Sequence, residues 1–200
     1  MSKEIKEFFH RQLNEHELIL KKTKLQLESD FIKLVNICVE SIRRNKKIIF
    51  FGNGGSASDS QHLATELTVR FSKNRKAIAA LSLVTDTSAI TAISNDLGFK
   101  YLFSRQIEAI GESGDVAIGI STSGKSQNVI EGLKLAKKIK MKCIIFTGKN
   151  SESFKKFCDC VISIPARNTS RIQEMHITIG QMLCNAIEFK INLAPLVKEE

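Results

Sequence analysis

Residues Ser121–Ser126, with the sequence STSGKS, contain four hydroxyl side chains and one lysine. We call them the hydroxyl segment. Hydroxyl groups and the free N–H groups at a helix N-terminus can bind phosphate, and the helix dipole favours its negative charge. Serine and threonine are also ordinary helix N-caps, but one cap requires only one hydroxyl. The segment therefore predicts an anion site at the start of a helix.

A second segment with chemical potential is the glycine segment, Gly52–Ser58, with the sequence GNGGSAS. Its three glycines let the backbone approach a ligand closely and adopt positive φ angles. The spacing matches neither the dinucleotide pattern G-x-G-x-x-G nor a P-loop, which ends in Gly-Lys-Ser or Gly-Lys-Thr. The segment predicts a ligand contact and gives little support for a nucleotide cofactor.

His62 and Glu66 are four residues apart, so a helix would place both on one face. Such a pair could share a divalent metal, or the carboxylate could move protons. A plain surface pair is the alternative, and this spacing often gives one. Near the C-terminus, the polar residues of Arg171–His176 do not by themselves indicate a particular reaction. A lone His176 is more often a packing residue than a ligand.

Short apolar runs precede both polar segments and predict the elements that position them. Runs that are apolar throughout are typical of strands buried on both faces of a parallel sheet. The predicted strands are 48–51, 77–83, 116–120, 143–146 and 161–164. The predicted helices are 56–70, 87–94, 126–139, 151–157 and 169–191, with Asp86 and either Ser151 or Ser153 as caps. Ligands of such sheets bind beyond the carboxyl ends of the strands.

The N-terminal part of the chain has a different pattern. Apolar residues recur at helical spacing over residues 3–45 without Gly or Pro, which predicts one long helix or two joined helices. We therefore divide the chain into a helical extension, 1–45, and an α/β domain, 46–200. The apolar stripe of the extension must pack on this domain or on another copy of the chain.

Composition argues against several classes of protein. The chain has 200 residues, a formal charge of +9, 42% hydrophobic residues, no Trp and one Tyr. Its longest stretch without Asp, Glu, Lys or Arg, 175–187, is shorter than the roughly 20 residues of a membrane span, and we expect no signal peptide at its start. Its lysines are spread out without interleaved aromatics, which argues against direct nucleic-acid binding. The five cysteines indicate reduced core thiols, and a cytoplasmic location is expected.

Five ordered motifs together carry a resemblance to a known family. They are Gly52–Ser56 (GNGGS), His62 with Glu66, Asn95–Phe99 (NDLGF), Ile120–Ser126 (ISTSGKS) and Arg171–His176 (RIQEMH). Over about residues 45–190 they closely resemble the sedoheptulose-7-phosphate isomerases, or phosphoheptose isomerases, of the sugar isomerase (SIS) domain family. The resemblance implies a three-layer α/β sandwich with a five-stranded parallel sheet, a homotetramer, and phosphosugar sites between subunits.

The resemblance also implies functional residues. Phosphate and sugar contacts are implied at Asn53, Gly54, Gly55, Glu66, Asn95, Asp96, Ser121, Thr122, Ser123, Ser126 and Gln173. A metal, usually zinc, is implied on His62, Glu66 and Gln173, with Glu66 as the catalytic acid/base. The family converts a 2-ketose to the aldose by moving a proton between C1 and C2 through an enediol. Fixed donors or a divalent ion would stabilise the enediolate charge.

One position departs from the family pattern. The isomerases carry a histidine, a metal ligand and proton carrier, eight residues after the glutamine, and this chain has Gln181 there. An amide oxygen binds metal weakly and cannot shuttle protons near neutral pH. Two readings follow: an isomerase weaker than its relatives, or a non-catalytic SIS regulator that binds the replication initiator DnaA. The retained His62, Glu66 and Gln173 favour the isomerase.

Overall fold

Helices alternate with short strands along the chain, as the computed structural model describes for residues 2–149 and 151–191. The strands are β1 (Ile48–Gly52), β2 (Ala80–Ser82), β3 (Val116–Ser121), β4 (Lys142–Thr147) and β5 (Cys160–Ser163). The helices are α1 (Ser2–Gln26), α2 (Glu28–Arg43), α3 (Gly55–Thr68), α4 (Thr87–Asp96), α5 (Leu102–Ile110), α6 (Gln127–Lys138), α7 (Glu152–Lys155) and α8 (Thr169–Lys190), with a 3₁₀ turn at Phe99–Tyr101. The division into 1–45 and 46–200 stays a prediction, and residues 192–200 of its second part lie outside the described residues.

All five strands run parallel in one sheet, in the order β2-β1-β3-β4-β5. β1 pairs with β2 on one side and with β3 on the other, where Gly52 lies beside Ile120. After β1, the chain adds β2 on one side and then returns past β1 to add β3, β4 and β5 on the other side. A topological switch point therefore lies between β1 and β3. The glycine segment follows β1 and the hydroxyl segment follows β3. The fold thus places the two segments side by side at the switch point.

An apolar core on each face makes the sheet the middle of three layers. α2, α3 and α8 cover one face with residues such as Leu34, Leu63 and Leu183. α5, α6 and α7 cover the other face, which contains Phe103 and Leu133. β1 and β3 are buried along their whole length, as their uninterrupted apolar runs predict. The predicted three-layer α/β sandwich is confirmed. Within the described ranges, no helix is both long and apolar enough to cross a membrane.

The helix starts agree with the sequence in part. Residues 3–45 are predicted to form one long helix or two joined helices, and the structure has the two helices α1 and α2 there. Leu27 separates them but keeps a backbone hydrogen bond to the Thr23 carbonyl at 3.0 Å. The predicted cap Asp86 is confirmed, since its carboxylate accepts the N–H of Ala89 at 2.9 Å. Ser151 occupies the N-cap position of α7 without a side-chain bond to that helix.

Two elements differ most from the sequence prediction. β2 is shorter than the predicted 77–83, because β1, its neighbour in the sheet, begins at Ile48 opposite Ala80. α5 has no counterpart among the predicted helices, although it buries Leu102, Phe103 and Ile107. It follows a 3₁₀ turn directly and has no side-chain cap, so the usual signal for a helix start is missing.

A buried ion pair, which we call the Arg75 clamp, ties the segment after α3 to α8. Arg75 and Glu188 are almost fully buried, and Arg75 Nε lies 2.7 Å from Glu188 Oε1. The Glu188 carboxylate also accepts the backbone N–H groups of Phe71, Ser72 and Lys73 at 2.9–3.0 Å. Burial raises the pKa of Glu188, but the hydrogen bonds outweigh this effect and hold the pKa at about 2.

We expect this carboxylate to make the protein less stable in acid. Glu188 titrates near its ordinary value of 4.5 in the unfolded chain and at about 2 in the folded protein. Its contribution is therefore fully present above pH 4.5 and is lost as the pH falls from 4.5 towards 2. At about 1.4 kcal/mol per pKa unit, the loss is about 3 kcal/mol. Urea unfolding near neutral pH and near pH 2 measures it. Wild type should lose more free energy of unfolding than Glu188→Gln, and equal losses would contradict the assignment.

Candidate functional site

The hydroxyl segment forms the turn between β3 and α6. Gly124 has a φ of +64°, and Ser126 stands at the N-cap position of α6 without a side-chain bond to the helix backbone. Ser121 Oγ donates to Ser126 Oγ at 3.0 Å, and Ser123 Oγ accepts the N–H of Lys125 at 3.2 Å. Hydroxyl groups and the first N–H groups of α6 therefore lie at one turn, an arrangement that can bind a phosphate.

The glycine segment lies beside this turn and begins α3. Gly54 has a φ of +56°, a left-handed value that glycine adopts without strain. Asn53 and Asn128 exchange two amide hydrogen bonds, each 2.8 Å long. Asn128 is buried in the first turn of α6, and nothing in its local sequence marks it as a partner of Asn53. The paired amides hold the two polar loops of the switch point together.

His62, Glu66 and Gln181 meet between α3 and α8 and form what we call the α3–α8 cluster. His62 Nε2 lies 3.1 Å from Glu66 Oε1 and within hydrogen-bond distance of Gln181 Nε2. An amide can turn to present its oxygen instead of its nitrogen. The Glu66 side chain is 23% exposed and that of His62 is 50% exposed, so a ligand can reach both from solvent. These groups can bind hydroxyls and move protons.

α3 and α8 run side by side in the same direction, which separates Gln173 from the α3–α8 cluster. Gln173 lies beside Gly55, where an added Cβ would come 2.5 Å from the Gln173 Nε2 atom. Gln181 lies beside His62. The eight residues between the two glutamines correspond to about 12 Å of helix rise. One chain therefore brings Gln173 to the glycine segment and Gln181 to His62.

The donor groups of the α3–α8 cluster fit a divalent cation in part. An imidazole nitrogen and a carboxylate oxygen are ligands that zinc uses, and an amide oxygen is a weaker one. Within residues 2–149 and 151–191, no group of three or more His, Cys, Asp and Glu side chains could hold a metal ion. Within one chain, Gln181 is placed to act as a third ligand for a divalent ion on the cluster, and we expect such an ion to be held weakly.

Asn95 and Asp96 lie at the far end of α4 from the carboxyl edge of the sheet. Both are exposed, and Asn95 Nδ2 donates to Asp96 Oδ1 at 2.7 Å. α4 begins at Thr87, soon after β2 ends, and Asn95 lies eight residues further on. That spacing corresponds to about 12 Å of helix rise. Within one chain, Asn95 and Asp96 therefore lie away from the start of α4 and from the carboxyl edge of the sheet.

A cavity of about 410 Å³ opens beside the hydroxyl segment. Thr122 and Ser123 line it, together with Thr169 at the start of α8. Lys149, which follows β4, and Arg167, which follows β5, are exposed and also line it. Their positive charges can neutralise a phosphate. The sequence does not reveal these two residues as site candidates, because they belong to separate loops that only the folded sheet brings together.

His176 is a packing residue, as the sequence indicates. It is 1% exposed, its ring lies 5.8 Å from that of Phe146, and its Nε2 lies 3.3 Å from the Thr147 carbonyl oxygen. Burial lowers its pKa to about 4, so the imidazole is neutral near neutral pH.

The five cysteines are free, and burial raises the thiol pKa of Cys143 and Cys184 to about 12. These thiols are therefore unreactive near neutral pH.

Known proteins share both the sequence and the arrangement of these elements. A family model described as SIS domain matches residues 12–148. The chain belongs to the SIS domain family. Among the relatives of this SIS chain is the phosphoheptose isomerase of Paramagnetospirillum magneticum, 48% identical over 181 residues, which are 90% of this chain and 94% of that protein. Phosphoheptose isomerase 1 of Campylobacter jejuni is 47% identical over 178 residues, which are 89% of this chain and 95% of that protein.

Solved structures extend the comparison to three dimensions. Phosphoheptose isomerase GmhA from Neisseria gonorrhoeae superposes with a TM-score of 0.87 at 36% identity, covering 92% of this chain and 99% of that one. A phosphoheptose isomerase from Francisella tularensis gives a TM-score of 0.88 at 27% identity, covering 92% and 98%. The expected SIS fold and the resemblance to phosphoheptose isomerases are both confirmed.

Proposed function

We propose that this SIS protein is an aldose–ketose isomerase that interconverts sedoheptulose 7-phosphate and glycero-manno-heptose 7-phosphate. The observation that carries the proposal is the contact between the Glu66 carboxylate and the His62 imidazole, 3.1 Å apart on the helix that the glycine segment begins. Relatives named phosphoheptose isomerase at 47% and 48% identity support it. The hydroxyl segment at the switch point supports a phosphosugar as the ligand.

Glu66 is the group that moves the proton in this proposal. Its carboxylate takes a proton from C1 of the 2-ketose and delivers it to C2, with an enediol between the two steps. When no metal ion is bound, His62 can give protons to the sugar oxygens and take them back, because an imidazole is both donor and acceptor. The Gln181 amide can donate a hydrogen bond to a developing oxyanion but cannot carry a proton. A phosphate held by the hydroxyl segment would fix the far end of the sugar.

A weakly held divalent ion such as zinc is part of the proposal. His62, Glu66 and Gln181 would hold it, since their donor groups meet at one point. When bound, the ion would stabilise the negative charge of the enediolate oxygens. Gln173, the other expected ligand, lies beside Gly55 within one chain.

We also propose that the chain assembles as a homotetramer. α1 exposes an apolar stripe, and each of its residues is about half exposed or more: Ile5, Phe8, Phe9 and Leu13. Contiguous apolar surface of this kind is typical of an interface between proteins. Light scattering coupled to size exclusion should give four times the chain mass of 22.3 kDa, and the mass of a single chain would contradict the assembly.

Lys149 and Arg167 should contribute to phosphate binding. A charge-assisted hydrogen bond contributes about 1.5–3 kcal/mol, so Lys149→Ala and Arg167→Ala should each raise KM for sedoheptulose 7-phosphate about 10-fold or more. We expect kcat to change less, because these residues line the cavity at the hydroxyl segment and not the α3–α8 cluster. Lys156→Ala, an exposed lysine outside this cavity, is the matched control. An unchanged KM in both variants would place the phosphate elsewhere.

A second candidate function is a non-catalytic SIS regulator that binds DnaA. Gln181 favours it, because an amide stands where the isomerases carry a proton-shuttling histidine. A pull-down with purified DnaA tests this function. A stable complex together with no isomerase activity would favour the regulator, and no complex would count against it.

The experiment that tests the isomerase proposal is direct conversion. Purified protein is incubated with sedoheptulose 7-phosphate and zinc, and the anomeric proton of the aldose is followed by NMR. We expect slow, protein-dependent formation of the aldose, whereas no product above a heat-inactivated control would contradict the proposal. The cytoplasmic location and the expected lack of direct nucleic-acid binding stay predictions.

A further inference from the structure

The Arg75 clamp reaches beyond its ion pair to the helix that carries Glu66. Arg75 Nη2 donates to the backbone carbonyl of Glu66 itself at 2.9 Å. Arg75 Nη1 donates to the carbonyls of Leu67 and Lys76 at 2.9 and 3.0 Å. With Glu188 on its Nε, the guanidinium therefore binds four groups from three parts of the chain.

The carbonyls of Glu66 and Leu67 lie in the last turn of α3, which ends at Thr68. Carbonyl groups in the last turn of a helix have no partner within that helix, and a cation there also complements the helix dipole. The flat guanidinium satisfies both carbonyls at once, which a single ammonium group cannot do in the same geometry. The clamp therefore fixes the end of α3 on which the Glu66 side chain stands.

The other half of the clamp belongs to the helix that carries Gln181. Glu188 lies on α8, seven residues after Gln181, which contacts His62 on α3. The clamp and the α3–α8 cluster thus join the same two helices: they lie about two helical turns apart along α8 and share Glu66 on α3. A change in the clamp would shift Glu66 relative to Gln181 without touching either side chain.

We infer that Arg75 and Glu188 are positioning residues for the Glu66 carboxylate, holding α3 and α8 in the register that the α3–α8 cluster requires. This inference rests on the proposed function. A displacement of about 1 Å at a reacting group can lower a rate by about 10²-fold, although substrate still binds. Loss of the guanidinium geometry should therefore lower kcat and leave KM nearly unchanged.

Arg75→Lys is the sharpest test, because lysine keeps the positive charge beside Glu188 but cannot bind both α3 carbonyls as the guanidinium does. The matched control is Asp115→Asn, just before β3, whose partners Lys47 and Glu112 lie outside α3 and α8. Asp115 is also buried, pairs with Lys47 Nζ at 2.7 Å, and accepts two backbone N–H groups. Both variants should unfold at lower temperature than wild type, and both are assayed below their unfolding transitions.

We expect kcat to fall at least about 10-fold in Arg75→Lys and less than about 2-fold in Asp115→Asn, with KM within about 3-fold in both. Wild-type kcat in Arg75→Lys, or equal losses in the two variants, would overturn the inference. The NMR signals of the His62 ring, recorded at fixed pH without substrate, give a readout that needs no turnover. They should move in Arg75→Lys and not in Asp115→Asn, and unmoved signals would overturn the inference. If wild type lacks turnover, the proposed function fails, and the His62 signals still test the clamp.

Discussion

Glu66→Gln is expected to lower kcat roughly 10²–10⁴-fold, the usual contribution of a positioned acid or base. Glutamine keeps the size of the side chain and a hydrogen bond to His62 but cannot accept a proton near neutral pH. KM should change much less, because the proposed phosphate site is the hydroxyl segment. Aldose formation from sedoheptulose 7-phosphate, followed by NMR at several substrate concentrations, separates the two parameters.

The matched control is Glu108→Gln on α5. Glu108 is an exposed carboxylate paired with Arg105 three residues away, and it lies outside the α3–α8 cluster. We expect the control to retain wild-type kcat, since exposed pairs of this kind contribute little to stability. A Glu66→Gln variant with more than about half of wild-type kcat would remove Glu66 from the mechanism.

Gln181→His should have the second large effect, a rise in kcat of roughly 10–100-fold. The Gln181 side chain already contacts the His62 ring, so an imidazole there would face the same point. It would add a group that carries protons near neutral pH and binds zinc better than an amide does. The measurements are kcat and the zinc content of the purified variant, and both should rise.

Met182→His is the control for Gln181→His, because it adds a histidine one residue further on, at an exposed position on another face of α8. It should change neither kcat nor zinc content. Activity in wild type with no gain in Gln181→His would mean that Gln181 is not the limiting feature of the site. No activity in wild type or in Gln181→His would remove the isomerase and leave the DnaA-binding regulator as the better reading.

The elements around the site could be predicted because local patterns determine them. β1 and β3 are apolar at nearly every position, and such runs are typical of central parallel strands. Asp86 precedes α4 as a cap, and the four-residue spacing of His62 and Glu66 places them on one face of α3. The sequence does not predict α5, because no capping residue marks the start of this helix.

The contacts between distant segments could not be predicted from one sequence. Asn53 and Asn128 are 75 residues apart, and Arg75 and Glu188 are 113 residues apart, yet each pair is in direct contact. Such pairs depend on how the sheet order brings loops and helices together, and no local pattern encodes that order. The implied phosphate, sugar and metal contacts stay predictions.

Proton exchange with solvent tests the central claim most directly. In D₂O, the proton that Glu66 takes from C1 can exchange with solvent before a proton is returned to carbon, so the aldose should carry deuterium at C2 and the recovered ketose should carry it at C1. NMR should detect both labels in the presence of wild-type protein and neither with Glu66→Gln. Sedoheptulose 7-phosphate that remains unlabelled and unconverted with wild-type protein would contradict the account.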